Sequence, residues 1–236
     1  MYMTICPSPE TVQKNVADIR RRVEEAARSC GRDPREITVM AVTKTVEPPA
    51  INEAIRQGVT LLGENKVQEY LDKREQYLPA TVHFIGNLQT NKVKYIIDKV
   101  AMIQSVSSEK LALEIEKQAA KHNLVMPVLL EVNIGQEETK GGFFPDELYQ
   151  VLPKLAQMEH LSVQGLMCIP PVENAEQFLQ RMEQIFIDIR EKNIHNINMS
   201  VLSMGMSGDF EAAIRHGSTL VRIGTGLFGK RDYSNK

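Results

Sequence analysis

The chain alternates short apolar runs with longer stretches in which apolar residues recur at helical spacing. The first such run, residues 37–43, is rich in β-branched residues and predicts a strand that is buried on both faces. Seven further runs follow, at 59–62, 82–85, 101–106, 127–132, 161–167, 199–202 and 220–223. The pattern therefore predicts eight strands separated by helices.

The helical stretches carry their own boundary signals. Ser8 followed by Pro9 predicts the N-cap and first residue of a helix, which Gly31 and Pro34 would end. The apolar stripe of this helix consists of Val12, Val16, Ile19 and Val23. Similar stripes run through 108–122 and 173–192, and a shorter helix is expected over 48–57.

Alternation of strand and helix is typical of a parallel sheet covered by helices. Eight such units within 236 residues favour a closed (β/α)8 TIM-type barrel, with the segment before the first strand as an extra N-terminal helix. An open doubly wound sheet remains the alternative, because strand ends inferred from one sequence can shift by several residues. Since no Pro/Gly/Ser-rich linker or short repeat divides the chain, we expect a single domain, 1–236.

Composition narrows the class of protein further. Hydrophobic residues make up 42% of the chain and charged residues 25%, and the net charge is −2 without a concentrated basic segment, so we expect no nucleic-acid partner. The three cysteines are far apart and lack metal-ligand spacing, which predicts no metal site. No apolar run approaches the ~18 residues needed to span a bilayer, and the first residues lack a signal-peptide pattern. These features predict a cytoplasmic protein.

Lys44 directly follows the first predicted strand, on the face where a barrel carries its active site. A lysine at the end of a buried run is unfavourable unless it is paired, neutral or covalently used. One interpretation is a lysine that simply reaches solvent as the strand ends. The functional interpretation is a desolvated amine that forms an imine with an aldehyde.

The loop that follows the seventh strand, 203–209, contains two glycines and two serines. Barrels often hold phosphate groups after the seventh and eighth strands. The hydroxyl of Ser207 and the N-terminal N–H groups of the helical segment 210–215 would suit an anion. Alternatively, Ser207 or Asp209 simply caps that helix.

The loop after the eighth strand runs from Arg222 through Gly224 and Thr225. Its backbone N–H groups could surround a phosphate, although an ordinary glycine-rich turn fits equally well. Arg222 stays charged, so when buried it needs an acceptor such as a pyridine nitrogen or a carboxylate. An imine-forming lysine, two phosphate-type loops and an arginine between them are together the parts of a pyridoxal 5′-phosphate (PLP) site.

Three other features are weaker candidates. Asn65, after the second strand, could position Lys44 or a ring substituent. His83, within the third strand, is more simply interpreted as a core histidine with its hydrogen bonds satisfied than as a catalytic residue. The loop 136–142 resembles a solvated surface loop, although it could cover the mouth of a pocket. No Ser/His/Asp or Cys/His arrangement indicates a catalytic residue, and none is assigned.

Several ordered motifs resemble those of the pyridoxal phosphate homeostasis protein family, also called the proline synthase co-transcribed homologues. They are Ala41-Val-Thr-Lys44, Gly63-Glu-Asn65, Val67-Gln-Glu69, His83-Phe-Ile-Gly-Asn-Leu-Gln-Thr-Asn-Lys92, Leu202-Ser-Met-Gly-Met-Ser207, Val221-Arg-Ile-Gly-Thr225 and Phe228-Gly229. The similarity extends over nearly the whole chain. Lys66 stands where many members carry an aromatic residue, and Gly141-Gly142 varies the usual loop, but neither change falls on the proposed cofactor contacts.

The resemblance implies a PLP fold type III barrel, like the N-terminal domain of alanine racemase. It implies that Lys44 carries the Schiff base and that Ser207, Gly224 and Thr225 contact the phosphate. It also implies that Arg222 faces the pyridine nitrogen. An arginine there keeps this nitrogen unprotonated, so the ring is a poorer electron sink than it would be opposite a carboxylate.

The expected function is PLP (vitamin B6) homeostasis, by a monomer that carries or regulates the cofactor and passes it to apo-enzymes without catalytic turnover. Racemases of this fold type add a β-domain that supplies a tyrosine base, and this chain ends at Lys236, shortly after the eighth strand. Proton abstraction requires a base within about 2.6–3.2 Å of the proton. The alternatives are a PLP-dependent amino-acid racemase with an internal base, and a barrel aldolase whose lysine forms an imine with a sugar phosphate.

Overall fold

Eight parallel strands pair in sequence order and close on themselves, because the first strand also pairs with the eighth. This arrangement is seen in a computed structural model that describes residues 4–230. The strands are β1 (Thr38–Val42), β2 (Leu61–Glu64), β3 (Thr81–Phe84), β4 (Met102–Val106), β5 (Met126–Val132), β6 (Leu161–Cys168), β7 (Ile197–Met206) and β8 (Leu220–Ile223). The predicted (β/α)8 barrel is confirmed, and the open doubly wound alternative is wrong.

The helices alternate with the strands as predicted. They are α1 (Pro9–Ser29), α2 (Pro48–Arg56), α3 (Val67–Lys73), α4 (Glu109–Lys121), α5 (Pro145–Leu155), α6 (Ala175–Glu191), α7 (Phe210–Arg215) and α8 (Thr225–Phe228). The extra N-terminal helix is α1, whose N-cap Ser8 accepts a hydrogen bond of 3.3 Å from the backbone N–H of Thr11. All four residues of its predicted apolar stripe are buried. This face packs on α7, α8 and α2, so α1 covers the side of the barrel where β1 pairs with β8.

Two segments differ from the prediction. Between β3 and β4 the chain forms a 3₁₀ helix, Thr90–Tyr95, in place of an α-helix. Thr90, Asn91 and the β-branched Val93 are weak helix formers, which favours this tighter and shorter form. β7 continues to Met206, so the predicted loop over 203–209 is mostly strand, and the true loop is shorter.

Gly205 explains how β7 reaches so far. Its φ of 94° lies in the left-handed region, and an added Cβ would lie 2.6 Å from the Cβ of Ala213 on α7. Only glycine therefore allows α7 to pack closely on this strand. The close packing sets the short loop between Met206 and Phe210 at the mouth of the barrel.

The barrel is filled on both sides of its wall. The larger core lies between the strands and the surrounding helices. Two smaller clusters fill the interior, one of Met40, Ile85 and Leu220 and one of Met102, Leu129 and Met167. Five of these residues lie on five different strands, and Ile85 directly follows β3. Residues 1–3 and 231–236 lie outside the described residues, so the single domain over 1–236 stays a prediction. Within 4–230, no helix is both long and apolar enough to cross a membrane.

Candidate functional site

A cavity of 580 Å³ opens at the carboxyl ends of β1, β7 and β8. It is lined by Val42, Lys44, Met206, Ser207, Gly208, Arg222, Gly224, Thr225 and Lys230. The structure thus brings together five of the six residues that the sequence predicted as cofactor contacts, from positions up to 181 residues apart in the chain. Asn65 is the sixth and does not line this cavity.

Lys44 occupies a turn that begins where β1 ends. The backbone N–H of Val46 donates a 3.1 Å hydrogen bond to the carbonyl oxygen of Thr43, which closes the turn around Lys44. The side chain of Lys44 is half-buried, while Thr43 beside it is fully buried. Lys44 therefore stands at the boundary between the barrel interior and the cavity.

Ser207 joins the two predicted phosphate loops. Its Oγ accepts a 3.0 Å hydrogen bond from the backbone N–H of Gly226, and this leaves the hydroxyl proton able to donate to a ligand. A Cβ added at Gly226 would lie 2.9 Å from Cγ2 of Ile223 and 3.3 Å from Oγ of Ser207, so this approach requires glycine. The two loops form one structural unit.

Asp209 sits at the N-cap position of α7 but makes no side-chain capping bond. Its Oδ1 instead accepts a 2.6 Å hydrogen bond from the backbone N–H of Met206, and its own N–H donates to the carbonyl oxygen of Met206. The capping alternative is therefore wrong for the Asp209 side chain, which closes the loop that carries Ser207. These two hydrogen bonds hold the loop at the cavity edge.

Gly224 and Thr225 begin the short helix α8. The carbonyl oxygen of Gly224 accepts 3.0 Å hydrogen bonds from the N–H groups of Leu227 and Phe228. The first backbone N–H groups of this helix have no acceptor within it and point away from it at its start. A Cβ at Gly224 would meet Val42 at an ordinary 3.5 Å. The glycine is therefore not demanded by the fold here, and its effect is to leave the backbone open to close approach.

Arg222 is buried, with 4% of its surface exposed, and its charge is satisfied by β6 and β7. Nη1 donates to the carbonyl oxygen and to Oγ of Ser203, and Nη2 donates to the carbonyl oxygen of Cys168, each at 2.8 Å. Burial lowers the pKa of this guanidinium, but an arginine remains charged. The sequence suggested a pyridine nitrogen or a carboxylate as the acceptor, whereas these three acceptors are two backbone carbonyl oxygens and one hydroxyl. Burial raises the pKa of Glu131 above its usual value, and the charge of Arg222 offsets only part of this rise.

Asn65 and His83 have different surroundings from those of the cavity. Oδ1 of Asn65 is buried and has no hydrogen-bond partner among the described atoms. Nδ1 of His83 lies 2.9 Å from Nε2 of Gln104 inside the barrel. Burial lowers the pKa of His83 to about 4, so the ring is neutral near pH 7. His83 is a core histidine whose Nδ1 hydrogen bond is satisfied, which agrees with the simpler interpretation of the sequence.

The loop 136–142 is organised by Asn133, which the sequence did not single out. Nδ2 of Asn133 donates to the carbonyl oxygens of Glu137 and Lys140, at 2.8 and 3.3 Å, and its Oδ1 accepts from the N–H of Glu137. Glu137 and Lys140 also form an ion pair at 2.5 Å. The loop is therefore a polar surface loop with internal support.

Four residues of the cavity lining were not among the predicted cofactor contacts, although two of them lie in the predicted loop 203–209. They are Val42, Met206, Gly208 and Lys230. The first two carried a usable signal, because the last inward-facing residue of a barrel strand borders the mouth. Lys230 carried none, since it lies beyond α8 and not in the loop that directly follows a strand. Among residues 4–230, no group of three or more His, Cys, Asp or Glu side chains could hold a metal ion.

Comparison with known sequences connects this chain to a family. The family described as alanine racemase, N-terminal domain, matches residues 14–232. A pyridoxal phosphate homeostasis protein of Aquifex aeolicus is 42% identical over 226 residues, which cover 93% of this chain and 98% of that protein. The protein of the same name from Escherichia coli (strain K12) is 38% identical over 234 residues, covering 95% and 99%.

Solved structures agree with this relationship. PipY of Synechococcus elongatus, solved with PLP bound, superposes with a TM-score of 0.81 at 27% identity and covers 92% of this chain and 100% of that chain. An alanine racemase of Clostridium difficile 630 has a TM-score of 0.71 at 16% identity, covering 98% of this chain and 58% of that chain, and shows the fold alone. The predicted resemblance is confirmed, and the chain belongs to the alanine racemase N-terminal domain family and, within it, to the pyridoxal phosphate homeostasis proteins.

Proposed function

We propose that this protein holds PLP as a Schiff base on Lys44 and acts in PLP homeostasis as a carrier or regulator, not as an enzyme. The observation that carries the proposal is the cavity that joins Lys44 to Ser207, Gly224 and Thr225. The amine follows β1, and the phosphate-type cradle follows the neighbouring strands β7 and β8. This arrangement suits a ligand with an aldehyde at one side and a phosphate at the other.

The chemistry of attachment needs only groups that the cavity supplies. The unprotonated amine of Lys44 would form a C=N bond with the aldehyde carbon, and the aldehyde oxygen would leave as water with the two hydrogens of the amine. No oxidant or reductant is required. The titratable side chains among the described lining residues are Lys44, Arg222 and Lys230, and all three are basic, which suits the negative charge of a phosphate ester.

The phosphate would be held by the loops that Ser207 connects. Its hydroxyl proton and the backbone N–H groups of Gly224 and Thr225 are donors of the kind that bind phosphate. Asn65 lies outside the lining, and its buried Oδ1 would accept a hydrogen bond from Lys44 or from a ring substituent.

Arg222 supports a role in holding the cofactor. Its guanidinium is fixed by Ser203 and Cys168, and a permanently charged donor would keep the pyridine nitrogen of a bound cofactor unprotonated. An unprotonated ring withdraws electrons weakly from a bound amino acid. The names of the curated relatives, homeostasis proteins and not enzymes, and the PLP bound in PipY support the same role.

We further propose that the protein works in the cytoplasm as a monomer and passes PLP to apo-enzymes that depend on it. Loose storage of a free aldehyde would allow it to react with any exposed lysine. A carrier that forms a reversible imine limits such side reactions and still releases the cofactor by hydrolysis.

The test is the visible absorption spectrum of the PLP-saturated protein and of its Lys44→Ala variant, before and after borohydride reduction. We expect a yellow imine band in the wild type that reduction removes and that the variant lacks. Peptide mass mapping of the reduced protein should place the pyridoxyl group on Lys44 and not on Lys230. Lys154→Ala, which removes an exposed lysine outside the cavity, should retain the band.

Two alternatives give different results on the same samples. The family relationship to alanine racemase favours amino-acid racemisation as the second candidate, and D-alanine formation that is lost in Lys44→Ala would establish it. If the saturated wild type shows no imine band, or the variant keeps it, the assignment of Lys44 is wrong. A lysine that instead traps a sugar phosphate on reduction would establish the aldolase.

A further inference from the structure

The turn that carries Lys44 has a backbone conformation that its sequence does not favour. Thr45 has a φ of 59°, in the left-handed region, and occupies the third position of the turn from Thr43 to Val46. That position in such a turn usually holds glycine or asparagine. For a β-branched residue a positive φ is an outlier, which persists only where the surroundings enforce it.

The enforcing contacts come from two residues of α3, Glu69 and Lys73, which we call the turn clamp. Oε1 of Glu69 accepts a hydrogen bond from the backbone N–H of Thr45. Nζ of Lys73 donates to the carbonyl oxygen of Thr43 at 3.0 Å and to that of Val46 at 3.4 Å. The clamp therefore holds the residue before Lys44 and the two residues after it.

The clamp is a buried ion pair. Nζ of Lys73 and Oε1 of Glu69 are 2.8 Å apart, and their side chains are only 11% and 13% exposed. Lys73 also lies 3.6 Å from Oε1 of Glu64, a carboxylate that is fully buried. The hydroxyls of Tyr77 and Thr43 donate to the same oxygen at 2.6 and 2.7 Å. Burial raises the pKa of Glu64, and the ammonium of Lys73 lowers it.

Stability alone does not account for this arrangement. Desolvating one ammonium and two carboxylates is unfavourable, and packed apolar side chains at such positions are often as stable or more so. What the ions provide is direction, because each makes hydrogen bonds of fixed geometry to the backbone on either side of one lysine. The hydrogen bonds therefore fix the backbone from which the half-buried side chain of Lys44 projects.

We propose that Glu69 and Lys73 are positioning residues that fix the direction in which Lys44 presents its amine to the cavity. The inference rests on the proposed function, in which this amine forms the imine. In a strained turn without its clamp, Lys44 would adopt several directions, and only some of them would reach the aldehyde. Misplacement of a reacting group by about 1 Å can slow a reaction by ~100-fold.

The test compares the wild type with the double variant Glu69→Leu/Lys73→Met, which removes all three hydrogen bonds from α3 to the turn and both charges of the ion pair. The carboxyl of Glu64 keeps its hydrogen bonds from Tyr77 and Thr43. We expect imine formation with PLP to slow by about tenfold to a hundredfold. Binding of pyridoxine 5′-phosphate, which has an alcohol in place of the aldehyde, should stay close to wild type, since Ser207 and Gly224 are untouched. Lys73→Arg keeps the charge and should recover most of the rate.

The control is Glu109→Leu/Lys154→Met, which makes the same substitutions in an exposed ion pair between α4 and α5. The Lys154 Nζ to Glu109 Oε2 distance in this pair is 2.7 Å, close to that in the clamp. This control should match the wild type in both measurements. Equal imine rates in the clamp variant and the wild type would overturn the inference. So would a loss of pyridoxine 5′-phosphate binding as large as the loss of rate, since that would mean general damage to the cavity.

A third measurement separates this inference from the proposed function. Reductive methylation with formaldehyde, mapped by mass spectrometry without PLP, reports the reactivity of Lys44 directly. We expect methylation of Lys44 to rise in the clamp variant relative to an exposed reference, Lys110, because a half-buried side chain that is no longer directed to the cavity is more accessible to a small aldehyde in solvent. If the wild type forms no imine with PLP but this rise occurs, the proposed function fails and the clamp stands. Unchanged methylation would overturn the clamp.

Discussion

The hydroxyl of Ser203 on β7 donates a 2.8 Å hydrogen bond to Oε1 of Gln104 on β4, across the interior of the barrel. The bond belongs to a chain. Arg222 donates to the same hydroxyl, and Nε2 of Gln104 donates to Nδ1 of His83 at 2.9 Å. Because an amide NH₂ can only donate, Nδ1 of His83 must accept, which assigns the ring proton to Nε2. Four buried polar side chains thus satisfy one another beneath the cavity.

Ser203→Ala should lower the free energy of unfolding by about 1–3 kcal/mol, since it leaves buried Oε1 of Gln104 without its donor. Arg222 keeps the carbonyl oxygen of Ser203 as an acceptor, so the loss should not abolish folding. Urea unfolding measures the change. Ser200→Ala is the matched control, because that exposed hydroxyl on the same strand makes only a 3.3 Å bond, and it should change stability by less than about 0.5 kcal/mol. Equal changes in the free energy of unfolding for the two variants would contradict a stabilising role for this series of hydrogen bonds.

His83 predicts a specific pH dependence of stability. Burial lowers its pKa to about 4 in the folded protein, while the unfolded chain titrates near 6.5. As the pH falls below about 6.5, the unfolded state takes up a proton that the folded state refuses, so stability declines by about 3 kcal/mol between pH 7 and pH 4. The free energy of unfolding of His83→Gln should fall less steeply over this range.

The difference between the two curves isolates His83. Burial raises the pKa values of Glu64 and Glu131, so these carboxyls contribute a slope of opposite sign, but they do so in both proteins. Urea unfolding at several pH values between 4 and 7.5 gives the two curves. Parallel curves would mean that His83 is protonated as easily in the folded protein as in the unfolded one.

The barrel was predictable because its signals are local. Each strand is an apolar run of a few residues, and Ser8 and Pro9 mark the N-cap and the first residue of α1. β8 was predicted with its observed bounds, Leu220–Ile223. Errors appear where packing decides, as in β7, whose extension depends on the contact between Gly205 and Ala213. The sequence shows a glycine there, but not the helix that packs on it.

The cavity residues were predictable for a different reason. In a barrel, whatever follows a strand lies at one rim, so Lys44, Ser207 and Thr225 could be grouped once the strands were assigned. The turn clamp could not be found in this way. Glu69 and Lys73 are spaced i,i+4 on α3 and look like an exposed ion pair, which is the common case. Likewise, nothing in the sequence joins Ser203 to Gln104, which is 99 residues away.

Thr45→Gly should raise the free energy of unfolding by up to about 1 kcal/mol, because glycine adopts the left-handed φ of 59° without strain. The gain is limited by the loss of the bond from Oγ1 of Thr45 to the carbonyl oxygen of Lys44. Asn123→Gly is the control. Asn123 has a φ of 52°, and asparagine tolerates it, so a smaller change is expected. Destabilisation by Thr45→Gly beyond that control would show that Thr45 is not strained.

The last prediction concerns Ser207, which the proposed function places against the phosphate. Ser207→Ala should weaken PLP binding by about tenfold or more, since a hydrogen bond to a charged group contributes about 1.5–3 kcal/mol. The same loss should appear with pyridoxine 5′-phosphate, because it depends on the phosphate and not on the imine. Equilibrium titration with each compound measures both.

Ser207→Thr separates the hydroxyl from the space it fills. Threonine keeps an oxygen that can accept from the N–H of Gly226 and donate to the phosphate, so it should retain most of the affinity that alanine loses. The free energy of unfolding of Ser207→Ala should fall only slightly, because the N–H of Gly226 lies at the cavity edge, where water can replace the lost acceptor. A large fall in stability with unchanged PLP affinity would assign Ser207 to loop structure, and the phosphate would then have to be held by Gly224 and Thr225 without it.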